Sequence, residues 1–194
     1  MTPQDLMQFF TTRRSYRRFR REPVPAAALE DLLQAARLAS CTANSQTLKY
    51  VVVQSPEMVA ATQPHIRWAA YLPPEQGTPA PEEQPTLFVA VCRDKSLPGG
   101  ADIDLGLAIG NMTAAAWAHG VGSCVLGAID RPALTGLYRL PDTLELRYLV
   151  AFGMPAHRST VVEETGGDIR YYLDDNRDYC VPKRPVSELV AARL

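Results

Sequence analysis

Residues 102–119 read DIDLGLAIGNMTAAAWAH, and almost every side chain in this segment is apolar or small. A helix that is apolar on nearly every side has no face suited to water, so we expect a helix that is buried all round. Asp104 and Asn111 interrupt the apolar run, which favours a buried helix over a membrane span. Gly120 follows as a helix stop. Small residues keep the helix thin enough for neighbouring elements to approach closely. These small residues are Gly106, Ala108, Gly110 and Ala114 to Ala116.

A second helix is predicted nearer the N-terminus. Pro25 opens it, since proline in the first turn of a helix costs no hydrogen bond. Leu29, Leu32, Leu33 and Ala36 then fall at i, i+3, i+4 and i+7, which is a one-sided apolar stripe. Shorter helices are predicted over Asp5–Phe10, over Pro56–Thr62 and after Arg131-Pro132.

Four segments have the composition of β-strands. They are Leu48–Val53, Thr86–Cys92, Val121–Ile129 and Glu145–Phe152. Within the last of them, Leu146, Tyr148, Val150 and Phe152 occupy every second position. Because side chains alternate between the two faces of a strand, these four are expected on one face.

Two regions are predicted to be less regular. Six of the sixteen prolines lie between Pro64 and Pro85, which indicates an irregular, surface-exposed segment that we interpret as a lid. The polar region from Ala156 onward looks like an arm. It contains a predicted hairpin over Arg170–Val181 with its turn at Asp174-Asp175-Asn176.

The composition limits the class of protein. A chain of 194 residues that is 46% hydrophobic and 21% charged fits one globular domain, and it argues against disordered, collagen-like and membrane proteins. The N-terminus lacks the charged start and apolar run of a signal peptide, so a cytoplasmic protein is expected. The four cysteines are too scattered for a CxxC motif or a zinc site, which predicts free thiols and no bound metal. They are Cys41, Cys92, Cys124 and Cys180.

The first candidate binding segment is RRSYRRF at residues 13–19. Six arginines fall between Arg13 and Arg21, so the rest of the chain carries 14 basic against 21 acidic side chains. The cluster can be a solvated face, a nucleic-acid patch or a phosphate site. Nucleic acid needs phosphate contacts spread along a face, and no second basic stripe supplies them. Arginine forks and the Ser15 hydroxyl suit a small phosphate, while composition alone leaves the solvated face open.

The second candidate segment is SCTANSQTL at residues 40–48, a run of small polar residues placed where a helix ends and a strand begins. Together with RRSYRRF it could hold a phosphate and a polar ring. Cys41 lies in this run, but no basic neighbour in sequence is present to activate it as a thiol nucleophile.

Two other features do not give a recognisable catalytic motif. Gly120 to Gly127 suggests a dinucleotide-binding loop, but Val125 replaces the third glycine of GxGxxG and the glycines follow a helix, the reverse of the Rossmann order. The segment can be a tight turn or a backbone that approaches a flat ligand closely. Three histidines lie outside any nucleophile motif and are expected to be structural or exposed. They are His65, His119 and His157.

In their order along the chain, these motifs resemble the FMN-dependent nitroreductase family, from the arginine cluster to roughly Pro155. The resemblance is carried by RRSYRRF, SCTANSQTL, GNMTAAAWAHGVGSC, LGAI and LRYLVAFGMP, with a further match at Val181–Arg184. It implies an α+β fold with a mixed central β-sheet flanked by helices. Residues 1–155 would form the flavin-binding domain, and residues 156–194 an arm that completes it or wraps the partner subunit.

The resemblance also implies which residues bind FMN. Arg13, Ser15 and Arg17 match positions that grip the flavin phosphate and pyrimidine edge, and a basic pair in the tail completes the phosphate site. The polar loop matches one that the family supplies from the partner subunit. A backbone N–H near Gly127 would point to the reactive flavin nitrogen. The full expected set is Arg13, Arg14, Ser15, Arg17, Ser40, Cys41, Thr42, Asn44, Gln46, Val125, Leu126, Gly127, Ala128, Lys183 and Arg184.

By the same resemblance, the chain is expected to form a homodimer with two FMN sites at its interface. A helix that is apolar all round has more surface than one small core covers, which independently favours a second subunit. FMN would pass hydride from NAD(P)H to a nitroaromatic, quinone or related small acceptor, so no catalytic side chain is nominated. A flavin-binding protein without turnover, such as a sensor, and an arginine-rich nucleic-acid binder are the alternatives.

Overall fold

The computed structural model describes residues 1–194 and contains seven α-helices and eight β-strands. The helices are α1 (Pro3–Thr12), α2 (Ala26–Arg37), α3 (Pro56–Thr62), α4 (Pro74–Gly77), α5 (Asp102–Ala118), α6 (Arg131–Leu137) and α7 (Val186–Leu189). The strands are β1 (Phe19–Arg20), β2 (Leu48–Val53), β3 (Leu87–Asp94), β4 (Gly122–Leu126), β5 (Leu144–Pro155), β6 (Ser159–Glu163), β7 (Tyr172–Leu173) and β8 (Tyr179–Lys183). Every helix and strand predicted from the sequence is present, and β2 and α3 have the predicted bounds.

Five strands form the central sheet. Strands β1, β5, β3 and β2 are hydrogen-bonded in that order, and β4 pairs with β5. The α+β class is confirmed, but the pairing in this sheet is antiparallel throughout rather than mixed, because β5 runs against all three of its neighbours. The mixed pairing occurs instead in a second, smaller sheet, where β8 is parallel to β6 and antiparallel to β7.

Both faces of the central sheet are covered. On one face, α2 and α5 pack against β3 through side chains such as Leu32, Met112 and Val89. On the other face, Phe88 and Trp68 belong to a separate core cluster. Strand β3 is therefore buried on both sides, which is why its sequence is a continuous apolar run rather than an alternating one.

The expected alternation along β5 is wrong at its first position. Tyr148, Val150 and Phe152 lie on the face toward α2 and α5, but Leu146 lies in the core cluster on the opposite face. The pairing with β3 shifts register between Val91 and Cys92, where the residue opposite changes from Tyr148 to Leu146. A bulge of this kind adds one residue to one strand and so reverses the side on which the following side chains lie.

Helix α5 is buried on one face only. Leu105, Ile109, Met112 and Ala116 point into the core, whereas Ile103 on the other side keeps 66% of its surface. The expectation of burial all round is therefore wrong for a single chain, because the sheet and α2 cover only one side of the helix.

Four residues at helical spacing form the exposed stripe of α5. They are Ile103, Gly106, Leu107 and Gly110. A Cβ added at Gly106 or Gly110 would meet no atom within 4 Å apart from its chain neighbours and the backbone of its own helix. Packing inside the chain therefore does not require these two glycines.

The C-terminal region folds back onto the central sheet as an arm. Its predicted hairpin is confirmed, with Tyr172 opposite Cys180 and Leu173 opposite Tyr179. The Tyr179 side chain is 1% exposed and packs against the His157 ring, with the ring centroids 4.8 Å apart. The same two arm residues contact the arginine segment, since the Arg17 Cζ lies 4.9 Å from the centroid of the Tyr179 ring and the Arg17 backbone N–H donates to His157 Nε2 at 3.0 Å.

The proline-rich segment is irregular, as predicted, but its middle is anchored. Trp68 is 3% exposed and belongs to the core. The Arg67 backbone N–H donates to the Ala128 carbonyl at 2.9 Å, and the Asp130 N–H donates to the His65 carbonyl at the same distance. This segment therefore lies beside the end of β4. Its role as a lid stays a prediction.

Candidate functional site

A cleft of about 350 Å³ opens between the end of α1, the middle of α5, the edge of β4 and the arm. Its lining residues come from five separate parts of the chain, and four of them carry a positive charge. They are Arg13, Arg14, Ser15, Arg17, Thr113, Ser123, Val125, Tyr171, Val181 and Lys183.

The end of α1 directs the arginine segment into this cleft. Arg13 leaves the helical region at φ −73° and ψ 99°, and the chain continues in extended form beside β4. The Tyr16 backbone N–H donates to the Ser123 carbonyl at 2.9 Å, next to a bridge between Ser15 and Ser123. Because side chains alternate along an extended chain, Tyr16 is buried in the core while Ser15 and Arg17 line the cleft.

Hydrogen bonds within the chain hold the side chains of Arg13 and Arg14. Arg13 Nη1 donates to the Thr113 hydroxyl on α5 at 3.1 Å, and its Nε is buried without a hydrogen-bond partner. Arg14 donates to the carbonyls of Arg13 and Phe10 at 2.8 and 3.1 Å. Burial, and then the neighbouring Arg13 charge, lower the pKa of Arg14. Both guanidinium groups stay charged at neutral pH and partly removed from water.

Only half of the arginine cluster reaches the cleft. Arg18 is 4% exposed on the other side of the segment, where its Nε lies 3.5 Å from the Glu83 carboxylate. Arg20 pairs with Glu22 at 3.1 Å, and Arg21 donates to the Pro81 carbonyl at 3.2 Å. This division is evidence against one continuous basic face of the kind that a nucleic acid would need.

The arm adds the fourth positive charge. Lys183 and Val181 on β8 line the cleft. Arg184, expected beside Lys183, lies outside it and is 3.8 Å from the Glu188 carboxylate. Lys183 is the last residue of β8, so the strand positions Lys183 but not Arg184, which follows it.

The polar loop lies in a different place within the chain. Ser40, Cys41 and Gln46 line a second cavity of about 240 Å³ beside α2 and α5, which contains none of the cleft arginines. The loop includes left-handed backbone at Ala43 (φ 51°) and Asn44 (φ 52°), a conformation that non-glycine residues rarely adopt. Such backbone needs support from its surroundings.

Asp104 provides that support. Its side chain is 2% exposed and accepts hydrogen bonds from the Thr42 N–H at 2.8 Å and from the Thr42 hydroxyl at 2.9 Å. It also accepts from the Ala101 N–H at 2.9 Å, at the start of α5. These bonds, first from Ala101 and then from Thr42, lower the pKa of the Asp104 carboxyl. One buried carboxylate therefore joins the polar loop to the central helix.

The predicted ring-contact segment lies at the end of β4. Val125, Gly127 and Ala128 are exposed, and Val125 lines the cleft. Leu126 is 5% exposed and belongs to the core, so its side chain cannot contact a ligand in the cleft and only its backbone could.

Several lining residues were missed by the sequence reasoning. Thr113, Ser123, Tyr171 and Val181 reach the cleft from a helix, a strand and the arm. A signal existed for Thr113, which is a polar residue in an otherwise apolar helix. Nothing in the local sequence places Tyr171 near Arg17, because the contact depends on how the arm folds back.

His157 is structural, as predicted. Its Nε2 accepts from the Arg17 backbone N–H at 3.0 Å, and its Nδ1 lies 2.7 Å from the Arg158 carbonyl. A carbonyl can only accept, so Nδ1 carries the proton and the ring is neutral. Burial lowers the pKa of His157 to about 4.

The cysteines and acidic residues form no further site. All four cysteines are free thiols, as predicted. No group of three or more His, Cys, Asp or Glu side chains is arranged to hold a metal ion.

None of the helices is both long enough and apolar enough to span a membrane.

Comparison with known proteins identifies the class. A family profile described as "Nitroreductase family" matches residues 10–154, which is well over half of the chain. The chain belongs to the nitroreductase family, and the resemblance seen in the motifs is confirmed. Membership of this family makes the chain an oxidoreductase.

Solved structures agree on the fold. A nitroreductase family protein of Clostridium difficile 630 matches with a TM-score of 0.69 at 21% identity, covering 96% of this chain and 97% of the other. An FMN-dependent nitroreductase of Clostridium difficile R20291 matches with a TM-score of 0.66 at 18% identity, covering 88% and 99%. A protein of Parabacteroides distasonis described as an NADH dehydrogenase/NAD(P)H nitroreductase matches with a TM-score of 0.68 at 16% identity, covering 88% and 98%.

Proposed function

We propose that this protein is an FMN-dependent oxidoreductase that takes hydride from NAD(P)H and delivers it to a small acceptor such as a nitroaromatic compound or a quinone. FMN would lie in the cleft between α1, β4 and the arm. Two chains would form a homodimer, with the polar loop of each chain completing the cleft of the other.

One observation carries the proposal: the cleft collects four cations that have no anionic partner. Arg13, Arg14, Arg17 and Lys183 line it together with no carboxylate, and none of the four forms an ion pair. Arg13 Nε is also buried without a partner. Arg13, Arg14 and Arg17 are half-buried, and Lys183 is exposed. Charge that is partly removed from water is costly unless it is paired, so this arrangement fits a ligand that brings its own negative charge. The phosphate of FMN meets that requirement.

The other lining residues fit the rest of the flavin. Ser15 and Ser123 offer hydroxyl groups beside the arginines, and Val125 offers an apolar side chain. Gly127 is exposed two residues after the lining residue Val125, so its backbone could face a planar ring that extends beyond the cleft. When bound, FMN supplies the redox chemistry, and the chain binds and orients it and keeps its phosphate charge paired.

The separation of the polar loop from the cleft supports a shared site. Within one chain, the residues expected around FMN fall into two cavities, one with the arginines and one with the polar loop. The exposed stripe of α5 gives a surface on which a second chain could pack, since Leu107 is 42% exposed and the nearby glycines have open space above them. A partner seated there would bring a second polar loop toward the cleft.

The first experiment is an absorption spectrum of the purified protein. We expect flavin bands and about one FMN per chain, retained from expression or bound on adding FMN. A colourless protein whose melting temperature does not change with FMN would refute the proposal.

Turnover is tested separately by mixing the flavin-loaded protein with NADH or NADPH and an acceptor such as menadione or a nitrofuran. Oxidation of the nicotinamide that depends on both flavin and acceptor is the expected result. Flavin binding without any nicotinamide oxidation would instead identify a non-catalytic flavin-binding protein.

A further inference from the structure

Arg131 bridges two backbone carbonyls where the pairing of β4 with β5 ends. Its Nη2 donates to the Gly127 carbonyl at 3.1 Å and to the Arg147 carbonyl at 2.9 Å. Gly127 follows the last residue of β4, and Arg147 lies within β5. The strands themselves pair only as far as Leu126 and Leu149, so the guanidinium ties their backbones together beyond that point.

The position of Arg131 in its helix does not account for its charge. Arg131 is the first residue of α6, where a cation is unfavourable because it lies at the positive end of the helix dipole. It also forms no ion pair within the chain. Its side-chain hydrogen bonds go only to the two carbonyls, so its contacts serve the turn after β4.

The bond to the Gly127 carbonyl fixes the direction of the Ala128 N–H. These two groups belong to one trans peptide, which is planar, so its C=O and N–H point in opposite directions. The Ala128 N–H therefore points away from Arg131. The Ala128 carbonyl accepts from the Arg67 backbone N–H at 2.9 Å, which fixes the next peptide as well. The Ala128 N–H donates to no group of the chain, and Ala128 is exposed.

The same bond makes this N–H a stronger donor. A cation that donates to the carbonyl of a peptide draws electrons toward the oxygen, and linked hydrogen bonds polarise one another. The peptide is also supported from one side, because a Cβ added at Gly127 would lie only 3.3 Å from the Tyr148 ring. The turn thus holds a free, polarised donor in a fixed direction, three residues after Val125, which lines the cleft.

We propose that Arg131 is a positioning residue that fixes and polarises the peptide between Gly127 and Ala128, so that the Ala128 N–H donates to the ring of bound FMN and raises its reduction potential. At neutral pH, reduction by two electrons and one proton leaves the flavin with one more negative charge. A fixed donor at the ring stabilises that charge. This inference rests on the proposed function, because it assumes FMN in the cleft with its ring extending past Val125 to the turn.

The test measures the midpoint potential of FMN bound to the full chain, against a reference dye at neutral pH. We expect Arg131→Gln to weaken binding of reduced FMN about fivefold relative to oxidised FMN, the size of one hydrogen bond. For a two-electron couple, this change lowers the potential by about 20 mV. Equal weakening of both forms would leave the potential unchanged, which would make Arg131 a structural residue and overturn the proposal.

Arg21→Gln is the matched control. Arg21 is also an exposed arginine whose side chain donates to a backbone carbonyl, that of Pro81 at 3.2 Å. The variant removes the same charge and should keep the wild-type potential. Arg131→Lys keeps the charge but replaces the rigid planar donors with a flexible point charge, so its potential should stay below the wild-type value. Full recovery in Arg131→Lys would show that charge alone acts and would overturn the positioning role.

A measurement without flavin separates this proposal from the proposed function. In the flavin-free chain, the carbonyl ¹³C resonances of Gly127 and Arg147 should move in Arg131→Gln and stay in place in Arg21→Gln. Resonances that do not move would overturn the bridge. A chain that binds no FMN would refute the proposed function and the tuning of the flavin together. Bound FMN whose potential is the same in wild type and Arg131→Gln would overturn the role of Arg131 alone.

Discussion

Arg13 and Arg21 lie near the two ends of the arginine cluster and differ in their surroundings. Arg13 lines the cleft with a buried, unpartnered Nε, whereas Arg21 is exposed and its side chain donates a hydrogen bond to the Pro81 carbonyl. We predict that Arg13→Ala weakens FMN binding by about 2 to 4 kcal/mol, the cost of removing one partner of a buried charge pair, and that Arg21→Ala has little effect. Titration of both variants with FMN measures the contrast. Equal losses would mean that the cluster acts only as diffuse surface charge.

His157 gives the fold a dependence on pH. Its pKa is lowered from 6.5 to about 4 by burial, so the unfolded chain takes up a proton before the folded chain does. Its contribution to stability is therefore complete above about pH 6.5 and is lost as the pH falls toward 4, by about 3 kcal/mol in total. Protonation would also place a hydrogen on Nε2, and Nε2 could then no longer accept the hydrogen bond from the Arg17 backbone N–H.

Urea unfolding between pH 4 and 7.5 tests this prediction. We expect His157→Gln to flatten the loss of stability between pH 6.5 and 4. His119→Gln serves as the control, since His119 is exposed and contacts Asp31 at 2.7 Å on the surface. A wild-type protein with no loss of stability over this range would contradict the assignment of a buried neutral ring.

At the scale of elements, helix α5 carries two kinds of small residue that the sequence does not distinguish. Ala108 is 2% exposed and packs inside the chain, whereas Gly110 belongs to the exposed stripe. A large residue at Ala108 would therefore disturb the core of one chain. Only a substitution at Gly110 tests the proposed contact between chains.

We predict that Gly110→Glu weakens the dimer by at least about tenfold and releases FMN with it, because a charged side chain would be forced into the interface. Gly136→Glu is the matched control, since Gly136 is an exposed helical glycine on α6 that also has no atom within 4 Å of an added Cβ. Sedimentation and flavin content are measured for both. Similar behaviour of the two variants would show that the exposed stripe is not an interface.

Local sequence predicted the elements better than the faces they bury. The run of β-branched residues in β2 and the apolar stripe of α2 depend on neighbours in sequence, and both were predicted correctly. The face on which Leu146 lies was predicted wrongly, because the bulge that sets it depends on the pairing of β5 with β3. A period-two pattern cannot reveal where an extra residue will enter the ladder.

At the scale of the whole molecule, a shared site makes binding and assembly one equilibrium. We predict that dilution which separates the chains releases FMN, and that added FMN shifts the dissociation of the dimer to lower protein concentration, by mass action. Sedimentation at a series of concentrations, read at the flavin absorption band, measures both effects. A monomer that keeps FMN at full occupancy would refute the shared site and leave the flavoprotein proposal intact.

The sequence alone determined the elements, the family and the segment proposed to bind an anion, because each of these depends on residues that are close together in the chain. The tertiary structure decided which of the six arginines reach the cleft, since an extended segment directs Arg17 to one side and Arg18 to the other. It also brought Tyr171 and Lys183 of the arm beside Arg17, across more than 150 residues of chain. Contacts of that range depend on how the sheet and the arm pack, and no local pattern of residues records them.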